Sequence, residues 1–234
     1  MAVKTAIILA GGLGTRLSEA APDVPKPMAL INNRPFLEYQ IDYWINQGIN
    51  QFILSVGYLK DKIINHFGDT YKGCEIEYAI EFEPLGTGGG LLLAAQDLTE
   101  PFLVLNGDTF IEVDLDNLCK FHSERQSKWT LTLFRTNQFD RYMGMDVDLT
   151  GEILSLKSKV KKSANLANGG VYLIDPSSLK LLPYEAGDKI SLEDELLPSF
   201  ISNGGILFGV ECEGKFIDIG VPEDYYRAKN ILPK

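Results

Sequence analysis

The chain has 234 residues, of which 45% are hydrophobic, and a formal net charge of -10. This length allows one large domain with a buried core, and the acidic balance argues against non-specific nucleic-acid binding, which needs a basic face. The apolar start is too short for a signal peptide, and no run approaches the ~18 apolar residues of a membrane span. Cys74, Cys119 and Cys212 are odd in number and far apart, so a reducing cytoplasm is favoured over a disulfide framework or zinc site.

Short apolar runs alternate with helical patterns along the first half of the chain. The predicted strands are 6–10, 52–56, 102–105 and 129–134. The predicted helices are 35–47, 59–67, 90–98 and 115–123. This alternation predicts an α/β fold, with a mixed, mainly parallel, Rossmann-like central sheet flanked by helices. Ligands of such sheets bind beyond the carboxyl ends of the strands.

After residue 146 the pattern loosens. It predicts a hairpin over 146–156 around Thr150, a strand over 169–174 and a helix over 191–201 that is capped by Ser191. Two strands, 206–210 and 215–219, are expected to pair with each other before a last helix over 222–231. A sugar-sized cleft is expected over this half of a single domain, 1–234. His66 and His122 fall in helical patterns, so ordinary helix-surface positions are favoured over ligand roles.

A glycine-rich loop follows the first predicted strand, in the stretch AIILAGGLGTRLSEAAPDVPKPM. Gly11, Gly12 and Gly14 let backbone N–H groups approach an anion. Arg16 adds a planar fork suited to phosphate, and Lys26, between two prolines, adds a point charge. The loop is predicted to bind a polyphosphate, because the dinucleotide and P-loop patterns both fail on spacing. The alternative is a tight turn followed by a solvated arginine and lysine.

Two aspartates follow predicted strands, Asp108 after 102–105 and Asp218 near the end of 215–219. Two carboxylates from separate strands, meeting over a triphosphate, suit Mg²⁺. The alternatives are a turn acid and a solvated strand end. A second glycine cluster, Gly86 with 88–90, predicts either a ligand close to the backbone or a flexible turn.

Five motifs together carry a family resemblance. GGLGTRL followed by PKPM resembles the signature of the sugar-1-phosphate nucleotidyltransferases, and the resemblance continues, in family order, through EPLGTGG, NGD, NGGVY and FIDIGVPEDY. It implies a GT-A-like nucleotidyltransferase fold, transfer of a nucleotidyl group from an NTP to a sugar 1-phosphate with release of pyrophosphate, and Mg²⁺ as cofactor. No protein nucleophile is evident.

NGDTF, QFDRY and FIDIGVPEDYY look most similar to the D-glycero-D-manno-heptose 1-phosphate guanylyltransferases within the family, which implies GTP as the nucleotide. Other transferases of the same family remain open: mannose-1-phosphate guanylyl-, glucose-1-phosphate thymidylyl- or uridylyl-, and N-acetylmuramate-1-phosphate uridylyltransferases.

The resemblance also implies roles for individual residues. Catalysis is assigned to Arg16, Lys26, Asp108 and Asp218, with the two aspartates holding Mg²⁺. The nucleotide is assigned to a half about 1–110, at Leu9, Ala10, Gly11, Gly12, Gly14, Thr15, Arg16, Lys26, Glu83, Gly86 and Thr87. The sugar phosphate is assigned to a half about 111–234 together with the NGD turn, at Gly107, Lys159, Asn168 and Gly169.

The sequence departs from the family pattern just before Lys159, where Ser158 stands in place of the usual glutamate. A different sugar, or a glutamate from elsewhere such as Glu193, would account for the change.

Two rival functions fit parts of the sequence. A glycosyltransferase would use an Asp-x-Asp string, but Asp114 and Asp116 more simply start a helix, and Asp146 and Asp148 belong to a hairpin. A non-catalytic nucleotide sensor is disfavoured because both Asp108 and Asp218 are present. Exposed apolar helix faces are compatible with a homodimer.

Overall fold

The computed structural model describes residues 2–12, 24–138, 141–142, 144–158 and 165–233. The predictions for Gly14, Thr15, Arg16 and Lys159 lie outside these residues. The strands are β1 Thr5–Leu9, β2 Leu30–Ile31, β3 Arg34–Pro35, β4 Gln51–Val56, β5 Thr70–Tyr71, β6 Cys74–Ile80, β7 Phe102–Asn106, β8 Thr109–Ile111, β9 Trp129–Arg135, β10 Gly144–Val147, β11 Ile153–Ser158, β12 Leu166–Ile174, β13 Leu207–Glu211 and β14 Phe216–Asp218. The α-helices are α1 Phe36–Ile45, α2 Lys60–Phe67, α3 Gly86–Ala94, α4 Leu115–Glu124, α5 Leu197–Ser202 and α6 Pro222–Ala228.

One large mixed sheet organises the described residues. Its centre runs in the order β7, β1, β4, β6 with every pair parallel. On one side β12 pairs antiparallel with β7 and with β9, and β13 adds to β9 in parallel. The predicted α/β class and mixed, mainly parallel sheet are therefore confirmed, whereas β6 was missed because its exposed glutamates break the apolar run.

The core lies on both faces of this sheet. Successive β1 residues Ala6, Ile7 and Ile8 are fully buried, but Ile7 packs in a different apolar cluster from its two neighbours. Side chains of a strand alternate between faces, so a short, continuously apolar strand is what two covered faces require. This explains why β1, β4 and β7 could be identified from composition alone.

The predicted pairing of 206–210 with 215–219 is wrong. β13 lies beside β9, and β14 instead pairs antiparallel with β8 in a separate small sheet. The pairing with β8 buries Ile217, which is 2% exposed, in a third apolar cluster with Phe110. Burial of these side chains outweighs the short sequence separation that favoured a local hairpin.

Two helices differ clearly from their predicted bounds. α3 begins at Gly86, four residues before the predicted start. The predicted helix 191–201 divides into a wider π turn, Leu192–Leu196, followed by α5. Pro198 has no N–H for a regular helical bond, and its ring crowds the preceding turn. The Ser191 side chain accepts from Asp194 N at 3.1 Å, as the predicted cap requires.

The two histidines occupy different environments. His66 lies on the surface, with Nε2 2.7 Å from Glu38 Oε1. His122 is only 3% exposed and its Nδ1 is 2.8 Å from Thr130 Oγ1, so its predicted surface position is wrong. Burial lowers the pKa of His122 to about 4, so the ring is neutral near pH 7.

Across the described ranges, no helix is both long and apolar enough to cross a membrane.

Candidate active site

A cleft of about 440 Å³ opens at the carboxyl ends of β1 and β7. The parallel register places Leu9 beside Asn106, and Gly107 N donates to Leu9 O at 3.1 Å. The end of β1, which leads into the glycine corner of Gly11 and Gly12, therefore contacts the turn formed by the NGD motif, residues 106–108. Predicted site residues lining this cleft are Leu9, Ala10, Gly11, Gly12, Lys26, Gly86, Thr87, Gly107, Asp108, Asn168 and Asp218. These residues come from segments across most of the chain and meet as the sheet topology requires.

Two further predicted residues, Glu83 and Gly169, are not among the residues that line the cleft, but a sequence neighbour of each is. Pro84, next to Glu83, and Gly170, next to Gly169, line it. Gly169 has a packing reason to be glycine, because a Cβ there would lie 2.8 Å from Thr132 Oγ1. Direct ligand contact by Glu83 and Gly169 stays a prediction.

The pairing of β8 with β14 brings the two aspartates together. Asp218 lies opposite Thr109 in this register, and Ile219 N donates to Asp108 O at 2.9 Å. A Cβ on Gly220 would lie 2.7 Å from Asp218 Oδ1, 3.2 Å from Lys26 Nζ and 3.4 Å from Asp108 Oδ2. Two carboxylates and one ammonium thus surround a single point at the cleft wall.

Each of these carboxylates has a cationic neighbour. Lys26 Nζ donates to Asp108 Oδ2 at 2.8 Å, and the two side chains are 11% and 30% exposed. Arg141 donates to Asp218 Oδ2 at 3.3 Å and also pairs with the buried carboxylate of Asp224. Burial alone would lower the pKa of Arg141, but hydrogen bonds to these two aspartates raise it overall and keep the side chain charged.

The donor set fits a divalent ion bound together with phosphate. No group of three or more His, Cys, Asp or Glu side chains that could hold a metal is found in the described part of the chain. Asp108 and Asp218 instead offer two carboxylates at the cleft, and Mg²⁺ typically takes one or two carboxylates plus phosphate oxygens and water.

The turn that carries Asp108 is held from behind by Gln40 on α1. Its Nε2 donates to Asn106 O at 2.8 Å and to Thr109 O at 2.6 Å, and the residue is 3% exposed. Pro27, buried beside Lys26, would contact a Cβ on Gly107 at 3.2 Å. These contacts fix the approach of Lys26 to Asp108, but sequence reasoning missed Gln40, which looks like any polar helix residue.

A buried carboxylate that sequence reasoning also missed lies beneath the glycine corner. Glu81 lines the cleft, accepting from Ser55 Oγ at 2.8 Å and from Leu85 N at 3.1 Å. A Cβ on Gly11 would lie 2.1 Å from Glu81 Oε1, so any side chain at position 11 would have to displace this carboxylate. The available signal was an acid directly after β6, a strand that itself was not predicted.

The second glycine cluster packs against the chain itself. Gly88 N and Gly89 N both donate to Ile190 O, at 3.0 and 3.2 Å. A Cβ on Gly89 would lie 2.2 Å from Asp188 O. Close approach of this backbone segment explains Gly88 and Gly89, so the flexible-turn alternative for them is wrong.

The Asp-x-Asp strings have local structural roles. Asp114 caps α4 by accepting from Asn117 N at 3.0 Å. Asp148 closes the hairpin turn by accepting from Thr150 N at 2.8 Å and Glu152 N at 2.9 Å. Neither string lines the cleft, which removes the sequence support for the glycosyltransferase alternative.

Comparisons with known proteins show the family of the chain. The family described as nucleotidyl transferase matches residues 5–234. The chain is 42% identical to D-glycero-alpha-D-manno-heptose 1-phosphate guanylyltransferase from Campylobacter jejuni subsp. jejuni, over 94% of this chain and 96% of the relative. It is 39% identical to the enzyme of the same name from Aneurinibacillus thermoaerophilus, over 97% of both chains.

A solved structure provides a third comparison. The crystal structure of HddC from Yersinia pseudotuberculosis complexed with GMP-PN superposes with a TM-score of 0.83 at 34% sequence identity. The match covers 97% of this chain and 99% of that chain.

Proposed function

The chain belongs to the nucleotidyl transferase family and is a sugar-1-phosphate nucleotidyltransferase, and from this premise we propose that it transfers a guanylyl group from GTP to D-glycero-α-D-manno-heptose 1-phosphate. The products are a GDP-sugar and pyrophosphate, and the cofactor is Mg²⁺. The whole chain, 1–234, acts as a single catalytic domain, with a nucleotide half about 1–110 and a sugar half about 111–234.

One observation carries this proposal: Lys26, Asp108 and Asp218 converge on one point of a cleft whose wall includes the glycine corner. Such a site suits an in-line attack of a sugar phosphate oxygen on the α-phosphorus. Catalysis then needs positioning and charge neutralisation rather than a protein nucleophile.

Each residue has a defined task in this reaction. Asp108 and Asp218 would hold Mg²⁺, which when bound neutralises phosphate charge that develops during transfer. Lys26 binds the α-phosphate region, and the amides of Gly11 and Gly12 face the remaining phosphates. Arg16, outside the described residues, is assigned to the leaving pyrophosphate from the sequence motif.

The buried carboxylate of Glu81 supports guanine as the base. An ionised carboxylate only accepts hydrogen bonds, and each oxygen has more than one acceptor site. Guanine presents its ring N–H and its amino group side by side, so it offers two donors to the two oxygens. Uracil and thymine place carbonyl oxygens on both sides of their single N–H, and those oxygens would repel the carboxylate.

The location that we propose is the cytoplasm, which the odd number and wide spacing of the cysteines favour. Cys74, Cys119 and Cys212 are all free thiols in this structure. Reduced cysteines are usual in a reducing compartment.

The proposal is tested by pyrophosphate release with a panel of four NTPs against heptose, mannose, glucose and N-acetylated sugar 1-phosphates. GTP with the manno-configured heptose 1-phosphate is expected to have the highest kcat/KM. Faster turnover of another pair, such as GTP with mannose 1-phosphate, would overturn the substrate assignment, and no turnover with any pair would favour a nucleotide sensor.

A further inference from the structure

A carboxylate behind the cleft wall joins the two sides of the proposed substrate site. Glu193 lies in the π turn Leu192–Leu196. Its Oε2 accepts from Thr87 Oγ1 at 3.0 Å and its Oε1 accepts from Tyr172 OH at 3.1 Å. Thr87 lines the cleft on the predicted nucleotide side, whereas Tyr172 is fully buried behind the predicted sugar side.

The Tyr172 hydroxyl has a single hydrogen, and this hydrogen is donated to Glu193. The hydroxyl oxygen must act as an acceptor towards any other neighbour. Asn168 Nδ2 donates to it at 2.6 Å, while Asn168 Oδ1 accepts from Gly170 N at 3.0 Å. Glu193 therefore fixes, through Tyr172, which end of the Asn168 amide is the nitrogen. The second N–H of this cleft-lining amide has no partner among the described residues, so it can donate to a ligand.

The neighbouring amide of Asn106 turns its nitrogen towards the same pair of side chains, Glu193 and Tyr172. Asn106 Nδ2 points to Glu193 Oε1 at 3.5 Å, so its carbonyl oxygen points the other way. This Oδ1 is buried and has no hydrogen-bond partner among the described residues, although Asn106 lines the cleft. A buried acceptor without a partner is destabilising, and a hydroxyl donor from a ligand would satisfy it.

We propose that Glu193 is a positioning residue for the sugar site: it orients the amides of Asn106 and Asn168 so that they present one acceptor and one donor to hydroxyls of the sugar 1-phosphate. This inference rests on the proposed function. It also answers the departure from the family pattern at Ser158, because the carboxylate comes from a different element and acts through the cleft-lining amides rather than beside Lys159.

The test uses Tyr172→Phe, Glu193→Gln and the double variant, with steady-state kinetics and calorimetric binding of heptose 1-phosphate. Each single variant should raise KM and Kd for the sugar phosphate at least about tenfold, with the KM for GTP changing less than about threefold. The double variant should lose less than the product of the two single effects, because both changes break one chain of hydrogen bonds.

Glu195→Gln is the matched control, since Glu195 is exposed on the same turn and accepts from Ser191 N at 2.8 Å. It reports any effect of disturbing the turn itself and should leave the sugar KM unchanged. The inference is overturned if wild-type enzyme releases pyrophosphate but both single variants keep their sugar KM and Kd within twofold, or if their effects multiply. If the wild-type enzyme shows no turnover with any sugar 1-phosphate, it is the proposed function that fails.

Discussion

Replacing Asp108 by asparagine keeps the shape of the side chain but removes one of the two carboxylates, those of Asp108 and Asp218, that lie beside Lys26. We expect kcat to fall by about 10²- to 10³-fold or more, as when one electrostatic stabiliser of a transition state is lost, equivalent to about 3–4 kcal/mol. The stability of the folded state should change much less than the rate. Lys26 keeps a neutral partner in place of a carboxylate at 2.8 Å, and the 30% exposure of the Asp108 side chain reduces the effect, so the free energy of unfolding should fall by about 1–2 kcal/mol.

The assay measures pyrophosphate release at saturating Mg²⁺, GTP and sugar phosphate, together with thermal unfolding. A loss of 1–2 kcal/mol corresponds to a Tm lower by about 2–8 °C, so the variant stays folded at 25 °C and the loss of rate reflects the site. Asp116→Asn, at an exposed position on α4, serves as the control and should keep the wild-type rate. Near wild-type turnover of the Asp108→Asn enzyme would refute the assignment of Asp108 to the metal.

Three further predictions concern other parts of the structure. Glu81→Gln should lower kcat/KM for GTP about 10- to 100-fold relative to UTP, because one acceptor for guanine becomes a donor; an unchanged GTP to UTP ratio would contradict the role of Glu81. Gly220→Ala puts a Cβ 2.7 Å from Asp218 Oδ1, so kcat should fall about 10- to 100-fold with little change in Tm, and a normal kcat would show that the carboxylate position is not critical. Burial lowers the pKa of His122 to about 4, so its contribution to the free energy of unfolding is complete above about pH 6.5 and is lost as the pH falls towards 4. In denaturant titrations, the free energy of unfolding of His122→Gln should fall less steeply over this pH range than that of the wild type. Equal pH dependence of the two proteins would refute this prediction.

The part of the site that follows β1 and β7 could be predicted from local sequence patterns. A short apolar strand followed by glycines, and another followed by Asp108, predict that both segments end at the same edge of a parallel sheet. The observed register of Leu9 beside Asn106 is the contact that this reasoning anticipates. Strand composition was sufficient for β1 and β7 because both faces of these strands are covered.

The other half of the site depends on pairings that local patterns do not specify. Asp218 reaches Asp108 only because β14 pairs with β8, and local reasoning instead paired the segment that carries Asp218 with its neighbour in sequence. Gln40 and Glu81 were missed for a related reason, since each is a single polar residue whose partners lie in distant segments. Their importance follows from what they touch, and a residue type at one position contains no information about contacts formed only in the folded chain.

Gly11 shows that one glycine can be required for two separate reasons. Its pattern predicted a backbone open to phosphate, but the nearest atoms to a Cβ at this position belong to Glu81, a side chain from another strand. One glycine therefore meets two requirements, since it leaves room for the buried carboxylate on one side and keeps the corner amides accessible on the other. If Glu81 reads the base as proposed, substituting Gly11 should disturb base selection as well as phosphate binding, because any side chain there displaces the carboxylate. The glycine corner and the proposed base site then depend on each other through the contact of Gly11 with Glu81, so a change in the phosphate-binding motif also changes which nucleotide is selected.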